Sequence, residues 1–146
     1  MKSRLGILFL IGMIALVGCA SNKNAEEHEY SVQDVTRALE SQHVTLAPYG
    51  MAGTIPTLNK VVPEMNAIEG EAATDHADPE FAYFYRFDTE SARKSGVKAF
   101  NKQMINAQFT TYPFLYEKGN LLMIYWAKSK ETPLLNEQIT SAIESL

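Results

Sequence analysis

Cys19 carries the chemistry that is easiest to name in this chain. It is the single cysteine, and a thiolate is a strong nucleophile. One cysteine excludes an internal disulfide, and thiolate metal sites of the usual kind use two or more. A second group of candidates is Asp75-His76-Ala77-Asp78, with Glu69, Glu71 and Glu80 close by in sequence. Such an acidic 75–80 loop has the oxygen and imidazole donors to hold Ca²⁺ or another divalent ion. Its spacing matches no calcium loop, and a solvated turn entering the strand at Phe81 is the plainer reading. The third group is Arg93, Lys94, Lys98 and Lys102, a basic stripe at helical spacing in a net acidic protein. It suits anionic headgroups or an anionic wall polymer, although a solvated helix face with Glu90 and Lys94 paired at i, i+4 explains it too. His28, His43 and His76 neighbour no Gly-x-Ser-x-Gly turn, so no enzyme of the Ser-His or Cys-His type is expected. No cofactor is expected either.

The setting of Cys19 gives its thiol a purpose. Residues 1–19 read MKSRLGILFLIGMIALVGC, with Lys2 and Arg4 ahead of an apolar run from Leu5 to Val17. That is the build of a secretory signal, too short for a comfortable membrane-spanning helix. Leu16-Val17-Gly18-Cys19 resembles the lipobox of bacterial lipoprotein precursors. The resemblance implies alkylation of the thiol by diacylglycerol, cleavage before Cys19 and a membrane anchor made of acyl chains. Removing residues 1–18 takes away two cations and no acid, which moves the formal charge from −4 to −6. An acidic chain is a poor nucleic-acid binder, since phosphate neutralisation supplies most of that affinity.

The elements that must position these residues can be read from periodicity. Residues 19–30 form a polar tether behind the anchor, and 31–146 a single domain. Aromatics make up 10% of the chain and hydrophobic residues 46%, enough for a core held by packing alone. A first helix is expected from near Ser31 to near Gln42, with Asp34 set for a capping box. A short strand over His43–Ala47 should stop at Pro48. Prolines and glycines make regular structure sparse over 48–66, and a weak strand is expected over 67–73. Phe81–Phe87 is the clearest strand, with Phe81, Tyr83, Tyr85 and Phe87 on one face. Asp88 is placed to cap a helix to about Asn106, with Val97, Phe100 and Met104 inward.

A hairpin follows: Thr111–Tyr116, a turn over Glu117–Asn120, then Leu121–Ala127, whose apolar character on both faces marks a central strand. Thr132 and Pro133 stand at helix-start positions, ahead of a stripe at Leu135, Ile139, Ala142, Ile143 and Leu146. The expected fold is α+β: a mostly antiparallel sheet of about four or five strands, with three helices on one face. The order allows two consecutive ββα units.

The lipobox, the Tyr83-Phe84-Tyr85-Arg86-Phe87 strand with the Asp88–Gly96 segment, and Tyr112–Tyr125 together resemble small lipoproteins of spore-forming Gram-positive bacteria. The resemblance implies a lipid-anchored protein facing outside the cytoplasm, with the membrane as first partner through Cys19. An envelope protein or wall polymer is the expected second partner, and no catalytic residue is carried over. The leading expectation is a non-enzymatic interaction module at the cell envelope. The alternative is a small-ligand or metal-binding lipoprotein using an uncovered aromatic sheet face or the 75–80 loop.

Overall fold

A computed structural model describes residues 28–50, 57–70, 73, 78–108 and 110–146. The lipobox, Cys19, Asp75 and His76 lie outside the described residues.

The fold is α+β. Its elements run α1 (Val32–Ser41), β1 (Thr45–Pro48), β2 (Glu64–Glu69), β3 (Phe81–Arg86), α2 (Glu90–Met104), β4 (Tyr112–Lys118), β5 (Leu121–Ala127) and α3 (Asn136–Glu144). The five strands form one antiparallel sheet in the order β1-β2-β3-β5-β4. β5 lies inside the sheet and is buried along its whole length, as its apolar residues on both faces require.

That two-faced burial corrects one expectation: helices cover both faces, not one. α1 and α3 pack with Phe84, Met123 and Tyr125 on one side. On the other side Phe100 of α2, with Leu58 from the connection before β2, packs on Tyr85, Leu122, Ile124 and Trp126. A strand with Leu122, Ile124 and Trp126 on one face and Leu121, Met123 and Tyr125 on the other leaves a large apolar surface wet unless both faces are covered. Among the described residues, therefore, no uncovered aromatic sheet face is found. Tyr85, Phe87 and Trp126 belong to the core.

Each hairpin is followed by a helix, so the chain does contain two consecutive ββα units. Their helices lie on opposite faces, while β3 and β5 run side by side and antiparallel with their hairpin partners outward. Reversing strand direction, exchanging sides and exchanging faces together is an inversion, not a rotation. The two units therefore have opposite hands, and no rotation superposes them whole.

Several boundaries move for local reasons. β2 starts directly after Pro63 and ends at Glu69, earlier than the expected 67–73. The cap of α2 is Thr89, whose hydroxyl accepts from Ala92 N–H at 3.0 Å, rather than Asp88. The β4–β5 turn needs only Gly119 and Asn120. α3 begins after Leu135 rather than at Thr132 and Pro133, because the Ser129 hydroxyl takes the Thr132 N–H into a separate turn.

Both sheet edges end in a proline-bearing strand. Tyr49 N–H donates to Met65 O, so Tyr49, Ala47 and Thr45 point their backbone groups at β2 and Pro48 faces outward. On the other edge the Lys118–Leu121 pair closes the turn, which puts Pro113 of β4 at an outward position. A proline offers no N–H to an incoming strand, a common way of blunting an edge.

Candidate functional site

Strand directions give the domain two distinct ends. One end gathers the β4–β5 turn, the N-termini of α1 and α2, and the C-terminus. The other gathers the start of β3, the connection after β5 and the start of α3.

The first end is where the described residues begin, at His28. Residues 28–30, expected as the last of the tether, lie against the β4–β5 turn. Tyr30 N–H donates to Asn120 Oδ1 at 2.7 Å, and Tyr30 Oη donates to Leu146 O at 3.0 Å. Asn120 is buried, and its side-chain amide donates to Phe87 O at 3.1 Å. Lys118 Nζ stands 5.9 Å from the Tyr30 ring centroid, and the His28 and Tyr30 rings are 4.5 Å apart. Gly119 makes this approach feasible. Its φ is +48°, and a Cβ there would sit 2.8 Å from Tyr30 Cδ2. The sequence carried a signal for Tyr30: it precedes the Ser31 cap, with Val35 at the spacing of a hydrophobic staple, and both join one core cluster.

α1 starts immediately behind this strap with a full capping box. Asp34 N–H donates to Ser31 Oγ at 3.2 Å, and Ser31 N–H donates to Asp34 Oδ2 at 2.9 Å. Bonds from the Ser31 hydroxyl and backbone, then from Arg37, hold the Asp34 carboxyl below its ordinary pKa. Beside α1 opens a cleft of about 390 Å³, lined by Val32, Gln33, Thr36, Arg37, Leu46, Pro48, Glu64 and Asn66. Val32, Leu46 and Pro48 supply apolar lining, and Arg37 and Glu64 supply opposite charges. Arg37 also pairs with Asp34 at 2.6 Å. None of these residues has motif spacing. The cleft arises because α1 and β2 meet across β1, which a periodicity reading cannot bring together.

The basic stripe divides. Lys94, Lys98 and Lys102 are exposed on α2, and Lys94 pairs with Glu90 at 2.6 Å. That contact, first as a hydrogen bond and then as charge, lowers the Glu90 pKa. Arg93, grouped with these cations in the sequence, points inward and is buried. Its Nε donates to Gly119 O at 2.6 Å, and its guanidinium pairs with Glu117 and, at 3.5 Å, with Glu90. Burial pushes the Arg93 pKa down and Glu90 pulls it back; a guanidinium stays charged in either case. Arg93 ties α2 to the β4–β5 turn and is not available for surface contact.

At the opposite end, Asp78 is exposed and pairs with Lys128 at 3.1 Å. Among the described residues no three His, Cys, Asp or Glu side chains converge as a metal site would need. Among the described residues Glu80 is the buried acid of this end. It accepts from the Tyr125 hydroxyl and from Lys128 N–H at 2.7 Å, so both its oxygens hold the end of β5 and the chain leaving it. Burial first, then the Glu80 bond and charge, push the Tyr125 pKa up.

The chain matches no family model, no curated protein and no solved structure. Among the described residues no helix is long and apolar enough to cross a membrane.

Proposed function

We propose that this chain is a lipid-anchored, extracytoplasmic interaction module of the bacterial cell envelope, without catalysis of its own. The observation that carries this reading is the sequence Leu16-Val17-Gly18-Cys19 closing an apolar run that follows Lys2 and Arg4. The arrangement of the domain is compatible with it. The described residues begin at His28, nine positions after Cys19, and among them the buried charged groups, Arg93 and Glu80, serve as struts between elements. The exposed face of α2, with Lys94, Lys98 and Lys102, is the surface best suited to an anionic partner. Saturating crosslinking in intact cells tests the module reading. A discrete adduct with an envelope protein or wall polymer is expected, and recovery of the chain alone contradicts it.

A second reading is favoured by the cleft. An apolar lining that also carries a guanidinium and a carboxylate suits a small ligand bearing both charges, such as an amino acid or short peptide. A thermal-shift screen over amino acids and dipeptides tests it. A concentration-dependent rise that Glu64→Gln abolishes supports the cleft, and no shift with any member sinks it. Of the candidate ligands in the 75–80 loop, Asp78 is paired with Lys128.

A further inference from the structure

We infer that the end of the domain carrying the Gly119–Asn120 turn faces the bilayer that holds the acyl chains, with the Lys128–Leu135 end displayed outward. The inference rests on the lipid-anchor reading and adds to it the surface that meets the membrane. It stands on where residues His28–Tyr30 lie and on how few residues separate them from Cys19.

The entry point is fixed by several contacts at once. Tyr30 is bonded to Asn120 through its backbone and to Leu146 through its hydroxyl. Its ring lies so close to Gly119 that no larger residue fits without displacement. Asn120 is in turn bonded to Phe87 at the end of β3. The strap is thus attached to the sheet, the turn and the C-terminus, all at one end.

From Cys19 to His28 there are nine residue steps, which reach at most about 30 Å when fully extended. A domain of this length has a radius of about 17 Å by ordinary size scaling. To bring the Lys128–Leu135 end against the bilayer, the chain before His28 would have to pass a quarter of the circumference and then drop one radius, about 45 Å in all. Nine steps cannot cover that distance. They can cover a quarter turn, so the domain can lean onto a side but cannot invert. The Arg37–Glu64 cleft opens in the half nearest the entry point, since Val32 and Gln33 belong to the first turn of α1. In this orientation it lies nearer the membrane surface than the outer end does.

The test uses the full chain, produced with its signal and reconstituted in phosphatidylcholine vesicles containing a headgroup-nitroxide lipid. With Cys19 acylated, an introduced cysteine is the free thiol for a fluorophore. Two positions are compared: Asp88→Cys at the turn end and Lys130→Cys at the outer end, both exposed. Quenching at 88 at least twice that at 130 is expected. Equal quenching, or stronger quenching at 130, overturns the orientation. Adding Tyr30→Ala removes the ring and hydroxyl contacts and loosens the strap, so the difference between the two positions should shrink. Vesicle flotation of the parent chain is read first. A chain that does not float overturns the lipid-anchor reading, and the orientation falls with it; a floating chain with equal quenching overturns the orientation alone.

Discussion

Replacing Gly96 by Ala sets two effects of known size against each other. In an exposed helix interior the change stabilises by up to about 1 kcal/mol, through backbone entropy and helix propensity. Gly96 of α2 is buried, however, and faces the Phe87 ring. An added Cβ would lie 2.6 Å from Phe87 Cε1 and closer still to Cζ, where carbon atoms at rest keep about 3.5–4.0 Å. The ring must therefore move by roughly 1 Å or more. It has little room, being buried and stacked near Tyr85 with centroids 6.4 Å apart and planes at 18°. Overpacking of this kind costs about 1–3 kcal/mol, so the clash outweighs the propensity gain. Urea unfolding should show Gly96→Ala destabilised by about 1–2 kcal/mol at unchanged m. Combined with Phe87→Leu, the Ala substitution should cost less than it does alone, a coupling that a double-mutant cycle reads directly. If Gly96→Ala raises the urea midpoint in the parent background, the close approach of α2 to Phe87 is wrong.

Further outcomes follow from the other contacts. Ser31→Ala removes the capping box of α1 and should lower stability by about 1 kcal/mol in urea titration; an unchanged midpoint would contradict the cap. Arg93→Met should cost about 1.5–3 kcal/mol through the lost charged bond to Gly119 O, whereas Lys98→Ala on the exposed face should stay within about 0.5 kcal/mol. Equal effects at the two positions would contradict the inward placement of Arg93. Burial pushes Tyr116 up to about 12 and raises Tyr83, Tyr85 and Tyr125 as well. Folded-state values above the unfolded value of about 10 mean that this stabilisation is full below pH 10 and is lost as pH rises through 12. Tyrosinate absorbance should therefore show incomplete ionisation until circular dichroism reports unfolding; all seven tyrosines ionising in a native fold would contradict it.

The elements were largely legible because their signals are local. Ser31 with Asp34, the alternation over Phe81–Phe87 and the two-faced apolar run of β5 each point to one structure. What the sequence hid depends on contacts between distant residues. Arg93 reads as one more cation beside Lys94 until the β4–β5 turn is brought under it, because the carbonyl of Gly119 is 26 positions away. Gly96 reads as a weak point in a helix until Phe87 is seen against it. The covering of both sheet faces followed from the apolar faces of β5, yet helix-on-one-face is the simpler layer rule, and the local pattern does not say which helix goes where. The cleft had no sequence signature at all, since its walls come from α1, β1 and β2 and its charges from Arg37 and Glu64.

The fate of Cys19 decides whether this chain is held at a membrane by lipid. Intact mass and N-terminal peptide analysis of the chain recovered from a bacterial membrane fraction measure it directly. A mature chain beginning at Cys19, bearing a thioether-linked diacylglycerol and partitioning into detergent is expected, with Cys19→Ala leaving it unacylated and mislocalised. A chain that retains residues 1–18, or that carries a free thiol at Cys19 and stays in the aqueous phase, would contradict it.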